Sequence, residues 1–387
     1  MAQPSPLVII GSGLAGYTLA REFRKLDSTT PLTIITSDDG SFYSKPMLSN
    51  ALAKGKDAEQ LVTSSAGEMS EKLNATMTLH TEVSKINPQQ RLLTTSKGEL
   101  PYHRLVIASG AVPFRPPLAG NAGHEVLSIN NLADYTLFRE RLKDAKRIAV
   151  IGPGLIGCEF ANDLIDAGKA VTIIGPDAYP ISGMLPEKIG SALKSALATQ
   201  GVAWYLDTTA TTVNKTDCGY RITLASGTEI TADLVISAIG LRPNTALAEA
   251  SGLVVNRGVV TNRFLETSTD GIFALGDCAE IDGMNLPFVA PLMIAARALA
   301  QQLNGNRVAI KYPPMAVVTK TPACPLVTLP PTRHEKGEWH YEGGASHITA
   351  RFINTDGTLR GFALAGDHVD KKQSLIKALQ DGKPPLL

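Results

Sequence analysis

The apolar run Leu7 to Ile10, LVII, passes without a polar break into GSGLAG, and from Leu14 to Leu26 the apolar residues then fall at helical spacing. Pro31 precedes a second short apolar run, LTIIT. The pattern predicts strand, helix, strand, with strands buried on both faces as in a parallel sheet. A strand-like stretch opens at Thr81, Glu82 and Val83, and RLLTTSKGELPYHRLVIASGA reads as hairpin-rich, ending in a strand from Leu105 to Ala108. In the linker VPFRPPLAG, Pro113, Pro116 and Pro117 extend neither sheet nor helix. An amphipathic helix is expected around Asp134 to Leu142, and the chain then repeats itself: RIAVIGPGLIGCEFANDLIDAGKAVTIIG is again strand, glycine turn, helix, strand. The run LVISAIGL, residues 234–241, resembles Leu105 to Ala111 and is likewise followed by a proline, in Arg242-Pro243. The second unit therefore reads as an insertion bounded by crossings near residues 111–118 and 240–244, with Gly240 at the second a candidate cofactor-binding residue.

The expected fold is α/β: two Rossmann-like three-layer dinucleotide-binding domains, the second inserted in the first, plus a small α+β C-terminal domain. The boundaries are 1–112 with 243–315, then 113–242, then 316–387. In the last segment RFINTDGTLRGFAL predicts a hairpin around Asp356-Gly357, and Lys371 to Gln380 a closing helix. The long apolar stretch Val289-Ala290-Pro291 onward predicts a buried helix with proline as its start signal.

Each glycine turn has a physical reading. Gly11 allows the tight turn, Gly13 admits a pyrophosphate to the backbone, and Gly16 lets helix and strand approach; Ser12, Leu14 and Ala15 complete the loop. Gly152, Gly154 and Gly157 repeat this, with Leu155 and Ile156 between them. A ribose-binding acid is usual roughly 20 residues after such a turn. Thr36 and Ser37 stand there in the first copy, with Asp38 and Asp39 just beyond. The second strand of the repeat ends at Gly175-Pro176-Asp177, and no Arg or Lys lies between Val171 and Pro186 to hold a 2′-phosphate, which favours NADH over NADPH. Ala108, Ser109 and Gly110 are small enough for the backbone to lie against a ligand.

Other candidates carry two readings each. Lys45, held extended by Pro46 in the polar loop SFYSKPMLS, is a cofactor contact or a surface lysine. Glu159 is taken to begin the second helix, as a stabiliser of its dipole or as a functional acid. Asp277, delivered by the strand Ile272 to Leu275 and Gly276, accepts hydrogen bonds from a polyol or simply closes a turn.

Composition removes alternatives. A net charge of +1 attracts neither nucleic acid nor an anionic membrane globally. The start, MAQPSPLVII, lacks the charged region and cleavage site of a signal peptide, and Leu286 to Leu303 falls short of a membrane span, so a cytoplasmic protein is expected. Cys158, Cys218, Cys278 and Cys324 show no C-x-x-C, and neither they nor the scattered histidines have metal-ligand spacing.

The order GSGLAG, SFYSKPMLS, ASGA, GPGLIGCE, AIGLRPNT and ALGDCAEI resembles the FAD-dependent pyridine nucleotide-disulfide oxidoreductase superfamily across nearly the whole chain, and within it the rubredoxin-reducing members, with flavorubredoxin reductases close behind. The resemblance implies FAD on the first glycine turn and NADH on the second. It implies Thr36 and Ser37 at the adenosine end, Val83 at the adenine, and Lys45 and Pro46 by the flavin ring, with Lys45 paired to Glu159. It further implies Asp277 at the ribityl chain, Val289 at the isoalloxazine, and Lys320 near the pyrimidine side. Disulfide reductases carry a redox cysteine pair and NADH oxidases a single cysteine in the loop where Ser44 and Lys45 stand here, so electrons are expected to leave the flavin directly. The implied acceptor is rubredoxin, an acidic iron protein docking on a basic face that includes Arg333 and Lys320, with alkane hydroxylation or oxygen and nitric oxide defence downstream. Ferredoxin or flavorubredoxin as acceptor, and a non-enzymatic NADH sensor, are the rival expectations.

Overall fold

Backbone hydrogen bonding in the computed structural model, which describes residues 5–344 and 346–381, follows the duplicated pattern. The expectation for the first four residues, and the end of the C-terminal segment after residue 381, lie outside the described residues. Two compact units result. One contains the chain up to Lys45, Glu59–Val112 and Leu241–Tyr312; the other contains Pro46–Ala58, Pro113–Gly240 and the chain from Pro313 onward.

In the first unit Leu7–Ile10 pairs in parallel with Leu32–Ile35 on one side and Arg104–Ile107 on the other. Thr76–Thr78 and Ile272–Ala274 complete a five-stranded sheet. In chain order this is 3-2-1-4-5, the doubly wound arrangement that places its ligand crevice at the carboxyl ends of the strands, where the order reverses. All four residues of Leu7–Ile10 and of Leu32–Ile35 are buried, which is why the first reads as a continuous apolar run and the second as one broken only by Thr33. The helices Leu14–Arg24 and Val289–Leu303 pack together, and Val83–Asn87, Leu92–Thr95 and Gly98–Pro101 form the expected meander.

In the second unit Arg147–Ile151 lies between Ala170–Ile174 and Leu234–Ser237, with Ala203–Tyr205 outermost, giving the order 3-2-1-4. The helix Leu132–Leu142 buries Tyr135, Phe138 and Leu142, one face at helical spacing. The C-terminal segment forms a five-stranded antiparallel sheet, Val317–Thr319, Leu326–Leu329, Leu359–Ala365, His347–Asn354 and Gly337–Gly344 in spatial order, followed by the helix Lys372–Asp381. Leu375 from that helix buries against Phe362 and Leu364.

Three local expectations need correction. Lys45 is not held extended: it opens a 3-10 helix, Lys45–Asn50, because proline at the second position of such a turn has the required φ and no N–H to leave unsatisfied. Pro113 ends a short strand, Ala111–Pro113, since a strand's terminal residue need not donate to a ladder. Pro291 is the third residue of its helix, still within the first turn, where amides have no intrahelical acceptor.

Candidate functional site

The glycine turn of the first unit is fixed by contacts that only glycine permits. Gly11 has φ +115°, and a Cβ there would strike the carbonyl of Ala108, just past the adjacent strand. A Cβ on Gly16 would strike the Gly11 carbonyl. Gly13 is different: it caps the helix with an ordinary φ of −69°, and a Cβ on it would meet nothing within 4 Å. No side chain caps Leu14–Arg24 and no acid lies in its first turn, so the turn presents free amides and the positive end of a dipole to open space. That geometry fits a dinucleotide pyrophosphate.

Around this turn the expected residues take definite places. The buried Ser12 hydroxyl lies 2.9 Å from Thr36 Oγ1 and 3.2 Å from Asp38 Oδ1, while Thr36 donates to the same Oδ1 at 2.6 Å and the Gly40 amide at 2.9 Å. Asp38 thus braces the turn, a role the sequence signalled only as a displaced acid. Ser37 is exposed beside it, and Val83 is half-buried at the start of its strand. Ala15 packs so closely on Gly276, φ +79°, that a Cβ on the latter would approach it to 2.8 Å. Ser109 Oγ donates to the Asn244 carbonyl at 2.9 Å, and the Asn244 amide returns to the Gly110 carbonyl at 2.9 Å, fixing the strand end. Asp277 follows Gly276, half-buried; burial pushes its carboxyl up from the ordinary range and the positive charge of Lys45 draws it back. Val289, first residue of its helix, is 43% exposed.

The second unit repeats the turn. Gly152, φ +113°, leaves no room for a Cβ against Ala238, Gly157 leaves none against Gly152, and Gly154 opens onto nothing within 4 Å. Leu155–Asp166 starts without a side-chain cap or a first-turn acid, and Ile156 is 42% exposed. Gly240 has φ +110°, and its carbonyl accepts from the Phe114 amide at 3.0 Å.

Glu159 does not begin this helix. It is the fifth residue, in the second turn, and only 1% exposed, so it has no claim on the dipole at the start. Its carboxylate accepts from Ser49 Oγ at 2.5 Å and from the Lys320 amide at 2.8 Å, and pairs with Lys320 Nζ at 3.0 Å. The same ammonium donates to Ser49 Oγ and to the Pro46 carbonyl. Lys320 is therefore drawn inward onto a buried carboxylate, and of the two residues named for a basic docking face only Arg333 is exposed. Further along the helix, Asp163 accepts from the Leu52 and Ala53 amides at 2.9 and 3.0 Å, and Asn162 from the Ala323 amide at 3.0 Å. Sequence reasoning missed Asn162 and Asp163. The available signal was their spacing, three and four residues after Glu159, which puts all three on one helix face.

All four cysteines are free, and among the described residues no cluster of His, Cys, Asp or Glu could hold a metal. No described helix is long and apolar enough to cross a membrane. The chemistry these elements offer is anion binding at two helix N-termini, each under a strand-turn-helix.

Comparison with known proteins agrees with that geometry. Residues 5–302 match the family described as pyridine nucleotide-disulphide oxidoreductase, and residues 309–379 match the rubredoxin binding C-terminal domain. The chain is 42% identical over 375 residues to a rubredoxin-NAD(+) reductase of Alcanivorax borkumensis, covering 97% of this chain and 98% of that protein. It is 39% identical over 373 residues to a nitric oxide reductase FlRd-NAD(+) reductase of Klebsiella pneumoniae, covering 96% and 98%. Among solved structures it is similar to a covalent putidaredoxin reductase-putidaredoxin complex, with a TM-score of 0.88, 25% identity, and coverage of 98% of this chain and 94% of that one. The chain belongs to the pyridine nucleotide-disulphide oxidoreductase family and carries that family's fold together with a rubredoxin binding C-terminal domain.

Proposed function

We propose that this chain is an FAD-dependent NADH:rubredoxin oxidoreductase acting in the cytoplasm. The observation that carries the reading is the union, in one chain, of two amide-lined glycine turns with a C-terminal segment matching a rubredoxin binding domain and no cysteine pair. Free thiols suit a reducing compartment.

In this reading residues 1–112 and 243–315 bind FAD, residues 113–242 bind NADH, and residues 316–387 form the C-terminal domain. Bound FAD would supply acceptance of a hydride from NADH and single-electron delivery to an iron carrier. The chain's own residues bind and orient. Amides at Gly13 to Gly16 neutralise the FAD pyrophosphate, while Thr36 and Ser37 face the adenosine and Val83 the adenine. The Asp277 carboxylate accepts from the ribityl hydroxyls, and Lys45 keeps positive charge beside it, as its effect on Asp277 supports. Val289 offers an apolar surface to the ring. Amides at Gly154 to Gly157 receive the NADH pyrophosphate.

The 39% identity to a flavorubredoxin-linked reductase favours flavorubredoxin as the second acceptor to test. Anaerobic stopped-flow mixing with NADH is expected to bleach the flavin, and oxidised rubredoxin to restore its colour faster than flavorubredoxin or a [2Fe-2S] ferredoxin. A flavin that NADH bleaches but no rubredoxin reoxidises would reject the assignment.

A further inference from the structure

The two glycine turns meet one steric problem with different residue pairs. In the first, the residue after the leading glycine is Ser12 and the tip of the second strand is Thr36, and their hydroxyls lie 2.9 Å apart. In the second, the corresponding residues are Pro153 and Gly175. A Cβ at Gly175 would collide with the Cδ and Cγ of the Pro153 ring. Neither partner can step aside: the Pro153 carbonyl accepts from the Ile181 amide at 2.9 Å, and the Gly175 amide donates to the Tyr205 carbonyl at 3.0 Å. The strand tip is where dinucleotide folds place the acid that receives the adenosine ribose. No side chain of any kind fits at this one.

Two residues beyond each tip stands an aspartate, Asp38 in the first turn and Asp177 in the second. Asp38 is committed to the protein, with three donors grouped on Oδ1. Asp177 accepts from Ser182 Oγ on Oδ1 at 2.6 Å, and its backbone carbonyl accepts from the Asp207 amide at 3.3 Å. Among the described residues its Oδ2 has no hydrogen-bond donor. Glu187 adds a second negative charge nearby: burial first, and then Glu187 and Asp177, push the Tyr179 phenol up. The next basic residue, Lys188, has its Nζ 5.2 Å from the centroid of the Tyr341 ring.

We propose that Asp177 is the specificity-determining residue of the second turn: its free carboxylate oxygen accepts the 2′-hydroxyl of the adenosine ribose of NADH and its charge repels the 2′-phosphate of NADPH, in place of the strand-tip acid that Pro153 displaces. The inference rests on the reading that this turn binds NADH. It assigns to a loop aspartate what the fold ordinarily assigns to a strand end.

Calorimetric titration of the flavin-loaded protein with NAD+ and with NADP+ tests it. Asp177→Asn keeps the acceptor for Ser182 but removes the charge, and is expected to cut the preference for NAD+ by about tenfold, chiefly by tightening NADP+. Asp177→Ala is expected to weaken NAD+ as well, also about tenfold. Ser182→Ala, which removes only the brace, should leave the ratio within about threefold of wild type. An unchanged ratio in both Asp177 variants overturns the assignment alone; absence of binding of either dinucleotide to the wild-type protein overturns the underlying reading and the assignment with it.

Discussion

Asp277 sits under opposed demands. Burial raises its carboxyl above the ordinary range and Lys45 only partly offsets this, so the ionised side chain is a cost to the folded state at neutral pH. A group raised in this way contributes its full stability below the unfolded value, about 3.9, and loses it as pH rises through the folded value. Asp277→Asn is therefore expected to melt higher than wild type when both are stripped of flavin at pH 7, with the difference shrinking as pH falls towards 4. The same variant should hold FAD about tenfold more weakly, because an amide is a poorer acceptor than a carboxylate for polyol hydroxyls. Equal melting at both pH values would show that burial exacts nothing here. Glu159 marks what a residue-level reading reaches and what it does not. Counting from Gly154 as the cap places it in the second turn, and the spacing to Asn162 and Asp163 gives their common face. Its donors, Ser49 and Lys320, lie 110 and 161 residues away, and no local pattern names them.

At the scale of elements the duplication was legible because each strand-turn-helix writes its constraints locally. A buried parallel strand is predominantly apolar, and the first and third glycines of each turn stand where a Cβ would strike backbone. The 3-10 turn Lys45–Asn50 was not legible: proline disfavours a helix before it yet suits a helix start, and tertiary context decides between these. The glycines of one turn differ in a way that can be measured. Gly16→Ala forces the helix Leu14–Arg24 away from the Gly11 carbonyl and is expected to destabilise the flavin-free protein by about 2 kcal/mol or more. Gly13→Ala places its methyl in open space at an ordinary φ, so the flavin-free protein should unfold within about 0.5 kcal/mol of wild type. On the proposed reading that methyl stands in the path of the pyrophosphate, so flavin affinity is expected to fall steeply. Chemical denaturation and flavin titration of the two variants separate the roles, and a Gly13→Ala protein that retains wild-type affinity would move the phosphate away from this turn.

For the molecule as a whole, the route by which electrons leave turns on its thiols. A cysteine relay needs an accessible thiolate and a partner with which to cycle. Cys158 and Cys278 are fully buried and their thiols are pushed upward by burial; Cys158 donates to the Pro153 carbonyl, and Cys278 donates to the Ile107 and Leu275 carbonyls and is hydrogen-bonded by Ser109 and the Gly110 amide. Cys324 is buried and its thiol is likewise raised by burial. Cys218 alone is exposed, in the tight turn before Gly219–Leu224, and one accessible thiol closes no disulfide. Iodoacetamide applied to the folded enzyme is therefore expected to label Cys218 and no other cysteine, as peptide mapping would show. NADH-driven reduction of rubredoxin should stay within about twofold of the untreated rate, as it should in Cys218→Ser, because a change that small is under half a kcal/mol of barrier. A loss of turnover in proportion to alkylation, absent from Cys218→Ser, would point to steric blocking at that turn. A loss common to both would show that sulfur carries electrons after all.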